Sequence, residues 1–464
     1  MAILFAGIFY VLAGFYLYHT RGHYHFHITR YTFLYFLCAA AIVPRFKSLS
    51  QFNRSPSGIL VTQALGLLFT ISTILFLSLL LYDPKLIYSV PSQVGLYFRQ
   101  TQIILIMFAF LVFLTWSTST YWKNSDKSVV LLKTFKIIAS VMIGLLLWIQ
   151  LLIPSYSPHP IIDVFAWNSS AVDFFLSGKN PYTQTYADIN HGVYSIKPAF
   201  VYFPGILFWL APFKAAFGDV RFGFIAAQCL TVFSQFRIVR RRAIDSTSMT
   251  FAWLLPIIWL TFPVTYFVLE QSWIDTLLIT ITFLIVDAMD LRRWNWAGIL
   301  LGLVFTMKQY AFVISFFALL RIWQLTDFRQ AVKSFFLGVV SFGAIVFPFA
   351  YWDWQSFIEM TIRSHTNASI RLDSLGMTAF MSRKWGIVFP RSAQIAVTAL
   401  GLLLGIAAIL KDPLKKMDRL ASALFLSYGC AFLFGQWAFC NYHYLLFSFL
   451  LLYLATAVPD SHLV

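Results

Sequence analysis

Residues 137–153, IIASVMIGLLLWIQLLI, decide the fold class of this 464-residue chain, because the whole stretch is without a charged side chain. A helix of this length is roughly 26 Å long, close to the hydrocarbon thickness of a bilayer. Further apolar runs lie at about 2–18, 31–43, 59–82, 101–118, 220–236, 251–268, 275–289, 296–307, 310–320, 334–350, 393–410, 418–436 and 442–458. The pattern predicts an all-α polytopic membrane protein of about 14 transmembrane helices, with 13 as the alternative.

The composition supports this fold class independently. Hydrophobic residues make up 59% of the chain and charged residues 11%, against roughly 45–50% and about 25% in soluble domains. So little polar surface excludes soluble enzymes, nucleic-acid-binding modules and disordered proteins. The net charge of +16 is therefore informative through its distribution along the chain rather than as a sign of a nucleic-acid partner.

The distribution of basic residues predicts the topology, and the ambiguous segment is 199–217. If this segment does not cross the membrane, 13 basic residues after position 222 fall on one side and 6 on the other. The positive-inside rule then makes the first side cytoplasmic. Pro204 and Pro212 also favour an interfacial helix over a clean span. We predict cytoplasmic termini in a plasma or inner membrane, with large outer loops at 154–221 and 351–392.

The first outer loop contains the most distinctive candidate side chain, Asp163. It stands at the start of a predicted amphipathic helix that ends near the turn sequence SGKNPY (177–182). Asp is common at helix N-termini because its carboxylate accepts hydrogen bonds from the first backbone N–H groups. A capping role and a functional role are both compatible with this position.

Several segments in a fixed order resemble glycosyltransferase family 87 of the GT-C superfamily, the polyprenol-phosphate-mannose-dependent α-mannosyltransferases. They are Asp163 with SGKNPY, YFPGILFWLAPF (202–213), the EQSWID turn (270–275), AGILLGLVFTMKQ (297–309) and CNYHYLLFSFLLLYL (440–454). One departure is Phe203-Pro204, where the family often has two prolines. The resemblance implies a GT-C-like catalytic core over 137–458, preceded by four helices of unknown role over 1–136 and followed by a short tail, 459–464.

The resemblance implies that Asp163 is the general base of an inverting sugar transfer. A carboxylate within hydrogen-bond reach can take the proton of the attacking hydroxyl. Inversion needs only one such base for transfer, unlike the carboxylate pair of glycoside hydrolases. Asp173, ten residues further on, is the rival base and a candidate substrate contact.

The remaining candidates are predicted to bind substrate. Lys308, between two short apolar runs, either contacts the lipid phosphate or extends its ammonium to the interface. Glu270, Gln271 and Asp275 are candidates for binding sugar hydroxyls. The other members of the predicted set are Lys197, Tyr202, Gln309, Arg371, Asn441 and His443.

We predict no resident cofactor and assign no metal ligands, because neither large loop contains a D-x-D pair. The resemblance leaves a divalent ion open, since some GT-C enzymes use one. The predicted partners are a polyprenyl-phosphate-linked sugar, a lipid or glycan acceptor and membrane lipids, without nucleic acid.

The sequence therefore predicts a membrane glycosyltransferase that moves a hexose, mannose by resemblance, at the outer face. The alternative is a transporter or flippase of a polyprenyl-linked or other amphiphilic solute. Transporters usually contain paired repeats with interrupted helices, and the two halves of this chain show no convincing repeat. The long polar loops on one side favour the enzyme.

Overall fold

The computed structural model describes residues 86–457, except for 122–125, 190, 193–197, 244–245, 365–370, 415 and 436. Within these residues every regular element is a helix, which confirms the all-α prediction. The first three predicted spans, at 2–18, 31–43 and 59–82, lie outside the described residues.

The described helices of at least eight residues are numbered here in chain order. They are α1 (Gln93–Tyr121), α2 (Asp126–Leu151), α3 (Asp163–Leu176), α4 (Gly205–Phe217), α5 (Arg221–Arg242), α6 (Ser246–Thr261), α7 (Pro263–Glu270), α8 (Asp275–Asp290), α9 (Trp294–Phe305), α10 (Phe312–Leu325), α11 (Phe328–Trp352), α12 (Met377–Trp385), α13 (Arg391–Leu410), α14 (Asp418–Phe434) and α15 (Cys440–Ala457).

Each apolar run predicted after residue 86 coincides with one of these helices, or with the pair α6 and α7. Six of the described helices are long and apolar enough to cross a membrane: α1, α2, α5, α11, α13 and α15. The pair α6 and α7, bent by 57°, would be a seventh span. The remaining apolar helices are shorter, so the total of about 14 spans stays a prediction.

The helices differ in how they are covered. α8, α14 and α15 are buried on nearly all sides. In contrast, α1, α11 and α13 each have one apolar face that no other described residue covers, with exposed side chains such as Met107, Val340 and Leu403. Contiguous apolar surface of this kind is rare on soluble monomers and is typical of lipid contact. Among the described helices, the central ones therefore build the protein interior, and the apolar faces of the outer ones suit contact with lipid.

α1 and α2 pack along a seam whose buried residues alternate at spacings of three and four. On α2 these residues are Phe135, Ala139, Met142, Leu146 and Ile149. This spacing is typical of left-handed helix pairs with interlocking side chains. α2, the first helix of the predicted core, in turn packs on α6 and α5. α1, the last of the four predicted N-terminal spans, is therefore in direct contact with the core.

α5 and α8 run parallel, which defines the two ends of the bundle. Thr231 and Thr280 form a hydrogen bond of 2.9 Å between their hydroxyls halfway along the two helices. At the C-terminal ends, Arg242 forms an ion pair of 2.5 Å with Asp290. We call this the arginine end, and the opposite end, where α8 begins, the Asp275 end. In an α5 of 22 residues the two ends are roughly 30 Å apart.

α4 begins and ends at the Asp275 end. The Gly205 N–H donates to the carbonyl of Thr306 at 3.0 Å, next to the end of α9. Further along α4, Trp209 Nε1 donates to the carbonyl of Gly223, near the start of α5, at 2.9 Å. Lys308, just beyond α9, forms an ion pair with Asp275, which shows that α9 also ends here. α4 therefore lies across one end of the bundle, in agreement with the interfacial helix predicted for 199–217.

We predict that the arginine end is cytoplasmic and that 154–221 is outside. In a background without native cysteines, Arg240→Cys should be shielded from an impermeant thiol reagent in intact cells. Asp188→Cys, at an exposed position of the first large loop, should be labelled. Arg240 is also exposed, so permeabilised cells should label both positions and provide the control. Labelling of position 240 in intact cells would overturn this orientation.

Candidate active site at the Asp275 end

Asp275 is the centre of the site and is fully buried. It is the first residue of α8, where the helix dipole stabilises a negative charge. Lys308 Nζ lies 3.1 Å from its Oδ2, and Asn441 Nδ2 donates to the same oxygen at 2.6 Å. The Tyr310 hydroxyl donates to Oδ1. A buried carboxylate is stable only when its oxygens are paired in this way.

Lys308 is surrounded by three aromatic side chains, an arrangement called the lysine cage here. Its ammonium lies over the rings of Tyr310, Tyr442 and Tyr202, at 4.8, 5.2 and 5.7 Å from their centroids. These rings present their electron-rich faces to the cation. Lys308 is 5% exposed, so its ammonium stays inside the protein rather than extending to the interface. Its direct counter-charge in the ligand-free protein is Asp275.

Tyr202 connects this cluster to Asp163. Burial raises the pKa of the Tyr202 phenol well above its usual value, and the charge of Asp163 raises it further, followed by Tyr442 and Asp275. The Tyr202 hydroxyl is therefore within electrostatic range of both carboxylates. Its backbone carbonyl accepts a hydrogen bond of 2.8 Å from the hydroxyl of Tyr182, in the turn that follows α3.

Asp163 is the first residue of α3 and is half-buried. The N-cap position belongs to Ile162, and Asp163 Oδ1 accepts a hydrogen bond of 2.8 Å from the N–H of Val164. The carboxylate is thus bonded to the first turn of α3. Asp163 therefore follows the N-cap rather than occupying it.

α3 is fixed to the turn that precedes Asp275. Asn168 Nδ2 donates to the carbonyl of Ser272 at 3.3 Å, and Trp167 Nε1 donates to the carbonyl of Ala187 at 3.0 Å. Ser272 adopts a φ of 61°, which is unusual for a residue with a side chain. Such strained turns concentrate at functional sites.

Asp173 points to a different neighbour. It forms an ion pair of 2.6 Å with Lys214 of α4, and its side chain is 61% exposed. Lys214 also donates to the carbonyl and the hydroxyl of Ser169, both at 2.7 Å. The structure therefore places Asp173 at the α3–α4 contact, on the outside of the pair of helices.

Glu270 ties three segments together. Its carboxylate is fully buried and accepts hydrogen bonds of 2.9 Å from the N–H groups of Ile87 and Tyr88. A third bond of 2.7 Å comes from the hydroxyl of Ser157. These contacts favour a role in fixing the loops around the site.

Gln271 and Gln309 make comparable internal contacts. Gln271 Oε1 accepts from Trp273 Nε1 at 3.0 Å. Gln309 Nε2 donates to the carbonyls of Val201 and Thr361, at 2.6 and 2.7 Å. Gln309 thereby holds the segment before α4 against the segment after α11.

Asn441 and His443 bring polar atoms from the start of α15. His443 is 6% exposed, and neither ring nitrogen has a hydrogen-bond partner among the residues that the structure describes. The Oδ1 atom of Asn441 likewise has no hydrogen-bond partner among these described residues. Because an unpaired buried polar group is costly, these atoms are suited to a polar substrate group.

Arg371 approaches the same region from the second large loop. Its guanidinium binds Asp373 with two hydrogen bonds, at 2.8 and 2.7 Å, and lies 5.1 Å from the ring centroid of Phe439. It is also within electrostatic range of Tyr442. The structure thus brings Arg371 close to the lysine cage. Lys197, the remaining predicted substrate contact, lies outside the described residues.

Sequence reasoning missed the aromatic cage and the pairing inside it. Tyr310 stands two positions after Lys308, and Tyr442 stands one position after Asn441. Aromatic residues make up 19% of the chain, so these two tyrosines could not be singled out. Across the described part of the chain, no three His, Cys, Asp or Glu side chains are grouped so as to hold a metal ion.

A comparison with protein-family models gives one match, to the model described as glycosyltransferase family 87, over residues 200–439. This range is more than half of the chain and includes Tyr202, Glu270, Asp275, Lys308 and Arg371. It begins after Asp163 and ends just before Asn441. Searches of curated proteins and of solved structures give no match.

The buried ion pair makes a stability prediction. Lys308→Met leaves Asp275 as an uncompensated buried charge, which costs about 3–5 kcal/mol in comparable cases. The apparent melting temperature in detergent should therefore fall. The double variant Lys308→Met/Asp275→Asn should recover much of the loss, because no charge is left unpaired. Lys179→Met, at an exposed lysine, is the control. Equal losses in the single and double variants would contradict the assigned pairing.

Proposed function

The chain belongs to glycosyltransferase family 87, and on this premise we propose that it transfers a hexose from a polyprenyl phosphate to an acceptor hydroxyl. Membership of this family identifies the chain as a membrane glycosyltransferase. We propose mannose as the hexose, because the sequence resembles the mannose-transferring members. The acceptor is a lipid or glycan at the outer face. One observation carries the proposal: the helix that begins at Asp163 is bonded through Asn168 to the turn before Asp275, so Asp163 and the Asp275–Lys308 pair lie at the same end of the bundle.

Asp163 is the proposed general base. A hydroxyl that attacks the anomeric carbon must lose its proton, and a carboxylate within about 2.6–3.2 Å can accept it. The start of α3 places this carboxylate at the edge of the bundle, half-buried, where an acceptor can reach it. Attack from the face opposite the departing phosphate inverts the anomeric centre.

Lys308 is the proposed ligand of the lipid phosphate. An ammonium has three N–H donors, so Asp275 does not exhaust its capacity. Asp275 orients the ammonium together with Asn441 and Tyr310. We propose that Arg371 and His443 complete the phosphate site, because charged and polar donors stabilise a leaving phosphate.

The sugar of the donor would then lie near Tyr202, between the lysine cage and Asp163. Gln271 and Gln309 stand at the borders of this region and are the proposed contacts to sugar hydroxyls. Glu270 and Asp173 would position the site without touching the sugar. Glu270 fixes the loops around the site, and Asp173 fixes the contact between α3 and α4. The outer location follows from the basic residues at the arginine end.

The base assignment predicts a specific kinetic defect. Asp163→Asn retains the shape of the side chain but cannot accept a proton, so turnover should fall by about 10²–10⁴. Donor binding should survive, because the lysine cage is unchanged. Purified protein, radiolabelled polyprenyl-phosphate-mannose and a lipid extract provide the assay through the label in a new product. Asp173→Asn, which affects only the α3–α4 contact, should retain most activity.

Two outcomes of this assay would contradict the proposal. Near-normal turnover of correctly folded Asp163→Asn would remove Asp163 from the mechanism. Failure of the wild-type protein to transfer label from any polyprenyl-phosphate sugar, while it moves the intact donor across vesicle membranes, would favour the transporter.

The phosphate site predicts a separate loss of affinity. Lys308→Met/Asp275→Asn removes the ammonium without leaving a buried charge, so this variant tests binding rather than folding. Donor affinity should fall by about 1.5–3 kcal/mol, the range for a hydrogen bond to a charged group. Titration of the donor by its effect on intrinsic fluorescence measures this change. Unchanged donor affinity would restrict Lys308 to a structural role.

A further inference from the structure

A buried arginine lies beside the chain that connects α2 to Asp163. Arg221, the first residue of α5, is fully buried although it is charged. The helix dipole opposes a cation here, because its positive end is at the N-terminus. Asp219 compensates the charge, since its carboxylate accepts hydrogen bonds from Nε at 3.0 Å and from Nη2 at 2.6 Å. A buried ion pair is costly to desolvate, so the other contacts of the guanidinium are the informative ones.

Two of these contacts bind the chain that leads to Asp163. Arg221 Nη1 donates to the carbonyl of Ser157 at 2.7 Å, and Nη2 donates to the carbonyl of Pro154 at 3.2 Å. Ser157 is also held through its hydroxyl, which donates to Glu270 at 2.7 Å. Arg221 and Glu270 therefore fix two groups of the same residue, six positions before Asp163.

A further contact of Arg221 lies on the other side of Asp163. Its Cζ atom is 4.8 Å from the ring centroid of Phe165, in the first turn of α3. The face of an aromatic ring attracts a cation, and the attraction is stronger away from water. The guanidinium thus contacts the chain both before and after Asp163.

The connection between these contacts is unsuited to fixing α3 by itself. Residues 158–162, PHPII, form no regular element, and Pro158 and Pro160 have no N–H group to donate. The start of α3 therefore depends on contacts at the two ends of the connection. Arginine suits this task because its guanidinium presents five N–H donors in a fixed fork, whereas lysine offers a point charge.

We propose that Arg221 is the positioning residue of Asp163, which it holds by anchoring the chain on both sides of it to the start of α5. This inference rests on the proposed transfer with Asp163 as the base. Groups that take part in a reaction must be held within about 0.5 Å of the productive geometry by the residues around them. Arg221 is fully buried, so it acts through Asp163 rather than on the substrate.

The kinetic test separates turnover from donor binding. Arg221→Lys retains a charge next to Asp219 but loses the fork that reaches both carbonyls. Turnover in the radiolabel assay should fall about 10- to 100-fold, because a displacement of about 1 Å can cost about 10²-fold. Donor affinity, measured by the fluorescence titration, should be unchanged, because other elements form the lysine cage.

Arg242→Lys is the matched control. Arg242 is also a buried arginine, and it binds the carboxylate of Asp290 and the carbonyl of Thr456 at the arginine end. Its substitution should lower the melting temperature about as much as Arg221→Lys does, and it should leave turnover unchanged. Equal losses of turnover in the two variants would show a general structural role and overturn the inference.

A double-mutant cycle tests whether Arg221 acts through Asp163. If Arg221 only places the carboxylate, its substitution has no effect once the carboxylate is gone. In the Asp163→Asn background, Arg221→Lys should therefore not lower the residual turnover any further. Two losses that multiply as independent ones would overturn the inference. The wild-type protein still transfers label in that case, so the proposed function survives.

Hydrogen exchange tests the anchoring without using activity. In Arg221→Lys, the peptide that contains residues 158–166 should exchange about tenfold faster, the effect of one lost hydrogen bond to a charged group. Arg242→Lys should leave this peptide unchanged. Unaltered exchange in Arg221→Lys would overturn the inference. The predicted exchange in a wild-type protein that transfers no label would instead contradict the proposed function, and the positioning role with it.

Discussion

The buried ion pair between Lys308 and Asp275 is the constraint on which the rest of the site depends. Two charges removed from water are tolerated only with close mutual contact and further hydrogen bonds. The protein supplies these through Asn441, Tyr310 and three tyrosine rings. To meet these requirements, the starts of α8 and α15 and the connection between α9 and α10 must converge at one point. The position of α4 follows, because Gly205 binds Thr306 directly before this connection.

Around this fixed centre, the protein holds Asp163 by longer-range contacts. Asn168 joins α3 to the turn before Asp275, and Lys214 joins α3 to α4. Glu270 adds the loop that leads to α3 and the segment before α1. Asp163, the proposed base, therefore stands on an element that is bonded to the turn before Asp275.

The helices could be predicted because lipid imposes a strong constraint on sequence. A spanning segment must satisfy its backbone internally and present apolar side chains, so the runs after residue 86 all coincide with helices. The amphipathic pattern after Asp163 and the turn sequence at 177–182 predicted the helix that is α3. That α4 does not cross the membrane stays a prediction from the charge distribution. The pairing of Lys308 with Asp275 could not be predicted, because it joins positions 33 apart through tertiary packing. The sugar-binding role of Glu270 stays a prediction. Its bonds in the ligand-free protein, to the N–H groups of Ile87 and Tyr88 and the hydroxyl of Ser157, could not be predicted, because they join positions 113 to 183 apart.

A structure of the Asp163→Asn variant with polyprenyl-phosphate-mannose bound would test the proposed transfer most directly. We expect the phosphate within hydrogen-bond distance of Lys308, roughly 2.7–3.2 Å. The sugar should lie near Tyr202, with residue 163 facing the side of the anomeric carbon opposite the phosphate. A donor bound at the arginine end, or a sugar whose anomeric carbon turns away from residue 163, would contradict the account.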